Sequence, residues 1–236
     1  MKGQEWYQAD EVAEEYEAKR FSRGGRLVDR TEKGAVLDAL SPVEDDRILE
    51  IACGTGRFSV ALAERGADVI GLDISGAMLR QGHAKAAAAG VRPDTEFLRG
   101  DAARLPFPDD HFDAVLAMRF FHLVDDPAAF LSEIERVSRR QIVFDTFDRP
   151  SLRSLYTWVL PMGSRLYGRS EVRELLDDAG IRLASANHEF LFPYGFYRQI
   201  PAQLADWTWA LDELLRDLPG VDRLATVSVW DCRVEA

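Results

Sequence analysis

The sequence contains only two cysteines, Cys53 and Cys232, among its 236 residues. Cys53 falls inside a glycine-containing loop, so a structural disulfide is not expected, and such usage fits a reducing compartment. The four histidines are scattered, and none pairs with a cysteine at metal-ligand spacing. The low cysteine content therefore argues against a disulfide-stapled fold and gives a zinc site little support.

Long apolar runs are also missing. No stretch approaches the roughly 18 uninterrupted apolar residues of a membrane span, and acidic residues follow the N-terminus where a secretory signal would be apolar. The composition, 47% hydrophobic and 29% charged, is that of a globular protein, and 236 residues suit a single core. We therefore predict one cytoplasmic domain: a helical lead-in (1–40), a core (41–150) and a cap (151–236).

Positive charge is scarce, with a formal net charge of −11 and an isoelectric point near 4.9. A surface of this sign repels phosphate backbones unless a basic patch compensates. The densest basic stretches, Arg20 to Arg30 and Arg136 to Arg140, are short and interleaved with acidic or apolar residues. We therefore expect a small-molecule partner and no nucleic acid; the oligomeric state stays open.

Strand-like and helical patterns alternate through the middle of the chain. After a strand at 48–52 and a glycine turn, the predicted elements are helices at 57–65, 75–89 and 127–137 and strands at 68–72, 95–99, 112–118 and 141–146. This alternation requires a mostly parallel sheet with helices on both faces. We predict an α/β fold, a doubly wound, mostly parallel seven-stranded Rossmann-like sheet with a helical N-terminal lead-in.

The flanking segments differ from this core. Residues 1–40 are predicted to be helical with a break at Gly24-Gly25, and beyond strand five we expect a helix capped by Ser170, a strand at 181–186 and a last, antiparallel strand at 226–234. Aromatic residues crowd the last part of the chain: Tyr156, Trp158, Tyr167, Phe190, Phe192, Tyr194, Phe196, Tyr197, Trp207 and Trp209. We predict an aromatic-rich cap insertion after strand five, whose rings suit a substrate lid and plain core packing equally well.

The turn after the first strand points to a ligand. Gly54 and Gly56 let the backbone approach a molecule laid across the end of a parallel sheet, because a Cβ there would block contact. Asp73 follows Gly54 by 19 residues and ends the second strand, about where an acidic residue meets ribose hydroxyls. Together these residues indicate an adenosine-type ligand.

Two such ligands compete, a dinucleotide and S-adenosylmethionine. A dinucleotide site has a third glycine in this loop, where this sequence has Phe58-Ser59. Glu50, near the end of the first strand, would place a carboxylate beside the loop, which suits a cationic ligand better than a pyrophosphate. These two residues favour the methyl donor.

The motifs resemble those of class I S-adenosylmethionine-dependent methyltransferases, of the small-molecule type that includes the quinone methyltransferases. The likeness extends over roughly residues 45–145 and is carried by four ordered motifs: Leu49 to Gly56, Gly71 to Ser75 with Met78-Leu79, Gly100 to Ala102, and Leu105 to Asp109 with Phe112-Asp113. One departure is Ser138 to Gln141, where relatives carry an Arg-Pro-Gly-Gly turn.

The resemblance implies a role for each matching residue. Gly54 and Gly56 would pack against the methionine part, and Asp73 would hold the ribose hydroxyls. The remaining implied cofactor-binding residues are Ile74 beside the adenine, Met78 of the second motif, Asp101 and Ala102 at the adenine edge, Met118 and Arg119 beside the methyl-transfer cleft, and Arg20, with Tyr16, as a cover. His122 is a weak candidate for a catalytic base, since a histidine that only packs behind the cofactor explains it as well.

These observations lead to a hypothesis of methyl transfer from S-adenosylmethionine to a small-molecule acceptor, at O, N or C. Two alternatives remain at this point. One is a module that binds S-adenosylmethionine without catalysis, and the other is an NAD-dependent oxidoreductase.

Overall fold

A seven-stranded sheet forms the centre of the protein. The computed structural model describes residues 22–41, 44–149, 151, 154, 164–216 and 218–234. The strands are β1 (Arg47–Ile51), β2 (Asp68–Asp73), β3 (Thr95–Arg99), β4 (Phe112–Ala117), β5 (Ser138–Phe147), β6 (Ile181–Glu189) and β7 (Val227–Val234). Their order is β3-β2-β1-β4-β5-β7-β6, with β1 to β5 parallel and β7 antiparallel to both of its neighbours. The predicted fold class is confirmed.

Helices cover both faces of the sheet. They are α1 (Arg23–Leu40), α2 (Arg57–Ala63), α3 (Gly76–Ala89), α4 (Pro127–Val137), α5 (Arg169–Asp178), α6 (Tyr194–Gln199) and α7 (Ala202–Arg216). On one face, α1 and α2 pack on Ile48, Val69 and Leu116. On the other, α4 and α5 pack on Leu49, Val115 and other strand residues. Strand residues alternate between two buried faces, as a doubly wound sheet requires. Among the described helices, none is long and apolar enough to cross a membrane.

Four local predictions were wrong or incomplete. Gly24-Gly25 do not break a helix but lie in the first turn of α1, which Ser22 caps through its side chain. Ser170 is not a cap; α5 begins one residue earlier, and the Glu171 carboxylate accepts from the Gly168 amide. The turn expected at 138–140 is the start of β5, where the Ser138 hydroxyl donates to the Gln141 carbonyl. Helices α6 and α7 were not predicted.

The described aromatic residues divide between core and surface. The aromatic helices α6 and α7 lie between β6 and β7, within the segment 151–236 predicted as the cap, while Tyr156 and Trp158 fall outside the described residues. Tyr167, Tyr194 and Tyr197 are buried, whereas Trp207 is 79% exposed. Much of the aromatic content is therefore core packing.

Helix α1 touches α6 at a point where no side chain fits. A Cβ added to Gly24 would come within 1.8 Å of the Tyr197 carbonyl oxygen, whereas one added to Gly34 in the same helix would meet nothing within 4 Å. We expect Gly24→Ala to lower the free energy of unfolding by about 2 kcal/mol, because the two helices must separate. Gly34→Ala is the matched control and should raise it by about 0.5–1 kcal/mol through helix propensity. Urea denaturation measures both; equal effects of the two variants would contradict the close contact.

Candidate functional site

A cavity of about 310 Å³ opens at the carboxyl ends of the central strands. It is lined by most of the residues predicted from sequence: Glu50, Gly54, Asp73, Ile74, Met78, Asp101, Ala102, Met118, Arg119 and His122. Gly56 does not line it, and Arg20 and Tyr16 lie outside the described residues. Parallel sheets bind ligands at this edge, so the fold brings the predicted residues together in the expected place.

The loop after β1 gives the cavity one wall of bare backbone. Gly54 has a φ of +56°, and a Cβ built on it meets no atom within 4 Å. A side chain at this position would therefore stand in the cavity. Glycine at Gly54 serves both the left-handed turn and the close approach of a ligand.

Gly56 has a different environment from the one predicted. It caps α2 at a φ of +69°, and an added Cβ would lie 2.6 Å from the Phe97 ring and 3.3 Å from Gly82. Glycine is needed here for the close packing of α2 against β3 and α3. This is the packing role that a third glycine fills in dinucleotide sites.

Asp73, at the end of β2, fixes two neighbouring segments. One carboxylate oxygen accepts from the Gly54 amide and the other from the Ser75 amide, each at 2.8 Å. Burial raises the pKa of Asp73, while these amide donors oppose the rise. The side chain thus fixes the glycine loop relative to the start of α3. Its remaining lone pairs can accept hydrogen bonds at the cavity wall.

Glu50 is a buried carboxyl group in the cavity wall. The side chain is 2% exposed and accepts from the Ser59 hydroxyl. Burial raises its pKa to about 7, although Ser59 and Arg57 favour the charged form. A carboxyl group with a pKa near neutral pH is only partly ionised, and a cationic ligand beside it would favour the ionised form.

Two arginines of the cavity wall share one carboxylate from α1. Arg57 donates to Asp29 at 2.8 Å and to Glu32 at 2.7 Å. Arg119 donates through Nε to the other Glu32 oxygen at 2.5 Å. Glu32 is 1% exposed, so these two guanidinium groups contact a carboxylate that is almost fully removed from solvent. We call Glu32, Asp29, Arg57, Arg119 and Asp145 the arginine cluster.

Arg119 connects the cluster to the cap. Its φ is +61°, and its backbone amide donates to Asp145 at 2.5 Å. Its guanidinium lies 3.3 Å from the centre of the aromatic ring of Tyr194, the first residue of α6. A left-handed residue that is not glycine is strained, and strain of this kind concentrates at functional sites.

Beyond Met118 and Arg119 the cavity becomes aromatic. Phe120, Phe147 and Tyr194 line this part, and the His122 ring packs on Phe147 with centroids 4.3 Å apart. The polar residue Arg198, from α6, also reaches it. The cavity therefore has a polar half near Asp73 and an aromatic half near His122.

The polar half combines hydrogen-bond acceptors with bare backbone. Asp73 places a buried carboxyl group at the end of β2, bare backbone lies at Gly54, and Glu50 adds a second buried carboxyl group, beside which positive charge is favourable. These features fit a cationic nucleoside and do not suit a pyrophosphate.

Several residues that line or support the cavity were not predicted from the sequence. Arg57 was visible as the residue directly after the glycine loop, and Phe120 neighbours the motif residue Arg119. Glu32 and Phe147 carry no local signal, because their place at the site depends on the packing of α1 and β5, and Tyr194 was predicted only as one of the rings of the aromatic cap.

Comparisons with known proteins agree with this geometry. The model of a methyltransferase domain family matches residues 49–143. The demethylmenaquinone methyltransferase of Beutenbergia cavernae is 34% identical over 182 residues, which cover 72% of each chain. That of Renibacterium salmoninarum is 38% identical over 127 residues, covering 52% of this chain and 51% of the relative.

A solved structure shows the same fold. Magnesium protoporphyrin IX methyltransferase from Synechocystis PCC 6803, with bound S-adenosylhomocysteine, superposes with a TM-score of 0.71 at 15% identity and covers 98% of each chain. The extent of the first curated match, together with the fold and the motifs, settles the family. The chain belongs to the class I S-adenosylmethionine-dependent methyltransferases.

Proposed function

We propose that this methyltransferase acts on a small aromatic or otherwise apolar molecule. The observation that carries the proposal is the aromatic half of the cavity, where Phe120, Phe147 and Tyr194 surround the space beyond Met118 and Arg119. Pockets for small molecules have such apolar walls with a few polar groups that fix orientation. Here the polar groups are His122 and Arg198.

The roles of the chain's own residues follow from their positions. S-adenosylmethionine supplies a methyl group already activated by a sulfonium, so the protein needs mainly to align the reactants and exclude water. Asp73 would hold the ribose, Gly54 would admit the methionine part, and Ile74, Met78 and Ala102 would enclose the adenine. The aromatic half would orient the acceptor toward the methyl group.

Named relatives support an apolar acceptor and leave the acceptor atom open. The matched proteins act, by their names, on demethylmenaquinone and on magnesium protoporphyrin IX, both conjugated ring systems. A phosphatidylethanolamine N-methyltransferase of Cereibacter sphaeroides is 38% identical over 94 residues. The shared core thus serves acceptors of different chemistry, and the aromatic half favours a ring.

The proposal is tested by incubating the protein with methyl-labelled S-adenosylmethionine and one candidate acceptor at a time. The panel contains substituted hydroquinones, monophenols, aromatic amines and aliphatic amines, with products identified by mass spectrometry. Transfer to ring compounds is expected. Transfer to the aliphatic amines alone would contradict the proposal, and label that stays in the donor with every acceptor and with a metabolite extract would favour the non-catalytic binding module.

The oxidoreductase alternative is not supported by the family. A thermal shift measurement separates it directly: S-adenosylhomocysteine at about 100 times its Kd should stabilise the fold by roughly 2.7 kcal/mol, and NAD should not.

We expect His122→Gln to affect turnover without affecting cofactor binding. His122 lines the aromatic half and packs on Phe147, so the variant should leave the Kd of S-adenosylhomocysteine within about twofold. If the imidazole accepts a proton from the acceptor, turnover should fall about 100-fold and the pH dependence of kcat should lose its lower limb. His83→Gln, at an exposed position outside the cavity, is the control. Turnover and pH profile equal to the control's would leave His122 with a packing role only.

A further inference from the structure

The arginine cluster places positive charge against a ligand that is itself positive. Arg57 and Arg119 both line the cavity, whereas Glu32, which contacts both, lies behind them and does not line it. S-adenosylmethionine carries one more positive charge than S-adenosylhomocysteine, because methyl transfer removes the sulfonium. The charge behind the cavity wall therefore acts differently on donor and product.

Glu32 is distinguished from the other carboxylates of the cluster. Asp29 contacts Arg57 and also pairs at 3.2 Å with Lys33, whose side chain is partly exposed. Asp145 accepts from the Arg119 amide, and its other oxygen lies 3.9 Å from Arg119 Nε. Glu32 accepts hydrogen bonds from both guanidinium groups and is almost completely buried. Its field reaches the cavity through a medium that screens charge weakly.

We propose that Glu32 sets the charge of the cavity wall and so makes the site favour the cationic methyl donor over its neutral product. Glu32 is a positioning residue, since it acts through Arg57 and Arg119. It belongs to α1, outside residues 49–143 that the family model matches, so the device comes from this chain's own N-terminal part. The inference concerns donor and product only and is independent of which acceptor is methylated.

The expected size follows from electrostatics. In general, removing a unit charge about 10 Å from a singly charged cation, at an effective dielectric constant near 20, changes the affinity for that cation about tenfold. The same removal leaves the interaction with a ligand of zero net charge nearly unchanged. Glu32→Gln should therefore raise the ratio Kd(S-adenosylmethionine)/Kd(S-adenosylhomocysteine) about tenfold. Loss of packing would weaken the binding of both ligands alike and would not change this ratio.

Isothermal titration calorimetry with each ligand alone, without any acceptor, measures the ratio. Asp29→Asn is the matched control: it removes the same charge from the same helix at a position that contacts Arg57 and is paired with Lys33, so the ratio should rise less than threefold. Glu32→Gln combined with Arg119→Gln restores the sum of charges. This double variant should return the ratio to within about threefold of the wild-type value, even where both affinities fall.

A ratio within twofold of the wild-type value in Glu32→Gln would overturn the proposal and leave Glu32 as a brace for α1. If Glu32→Gln does not fold, Arg119→Gln decides, because loss of a positive charge should shift the ratio in the opposite direction, about tenfold toward the donor. An unchanged or increased ratio in Arg119→Gln would equally overturn the proposal. Failure to methylate any acceptor in the panel would affect only the proposed function, not this measurement.

Discussion

Asp73→Ala should weaken S-adenosylhomocysteine binding by about 100-fold or more. The substitution removes the acceptor for the Gly54 and Ser75 amides and any bond to the ribose. Hydrogen bonds to a charged group contribute about 1.5–3 kcal/mol each, and 1.4 kcal/mol corresponds to tenfold in affinity. Two hydrogen bonds from the carboxylate to the ribose hydroxyls would therefore account for the expected loss of affinity. Calorimetry measures this loss directly.

The control for this variant lies on the same strand. Asp68→Ala changes the other end of β2, where the side chain is half exposed and lies 3.8 Å from Arg47. Its affinity for S-adenosylhomocysteine should stay within about twofold of the wild type, with a similar melting temperature. An Asp73→Ala protein that is folded and binds as tightly as Asp68→Ala would show that the ribose role is wrongly assigned.

Binding of S-adenosylmethionine should become about tenfold tighter between pH 6 and pH 8. The pKa of Glu50 is raised to about 7 by burial, so the group is mostly neutral at pH 6 and mostly ionised at pH 8. A cationic ligand favours the ionised form, and its affinity therefore rises with pH while binding below pH 7 releases a proton. Calorimetric titrations in buffers of different ionisation enthalpy measure the release of that proton.

Glu50→Gln provides the matched comparison, since it keeps a side chain of the same size beside Ser59 and cannot ionise. We expect this variant to bind S-adenosylmethionine at pH 8 about as weakly as the wild type does at pH 6, with a nearly flat pH profile. A slope that persists in Glu50→Gln would assign the titration to another buried acid, of which Asp145, with a pKa of about 6, is the nearest candidate in the cluster.

The central fold could be predicted because its signals are local. Strand β3 and helix α4 have the predicted bounds at both ends, since turn residues and apolar periodicity fix them within a few positions. The loop glycines and Asp73 were found for the same reason: strand, loop and acid follow one another at characteristic spacing. Cofactor-side residues of this kind require no knowledge of distant contacts.

Contacts between distant segments could not be predicted in this way. Nothing in the sequence near Glu32 marks it as the partner of Arg57 and Arg119, because an acidic residue on a helix is ordinarily a solvated one. The aromatic composition likewise predicted neither the burial of Tyr194 nor the exposure of Trp207. In both cases the outcome depends on how α1, α6 and α7 pack.

The arginine cluster also bears on how the chain matures during synthesis. Its members come from α1, α2 and the ends of β4 and β5, and the contact between Glu32 and Arg119 spans 87 residues. Contacts of such large sequence separation carry a loop-closure cost and require the whole intervening chain to be present. Because Asp145 is the last member, a nascent chain cannot complete the cluster until β5 has left the ribosome. The preference for the methyl donor that we propose for the cluster is therefore acquired late, and the segment 49–143 alone, which lacks Glu32 and Asp145, would not possess it.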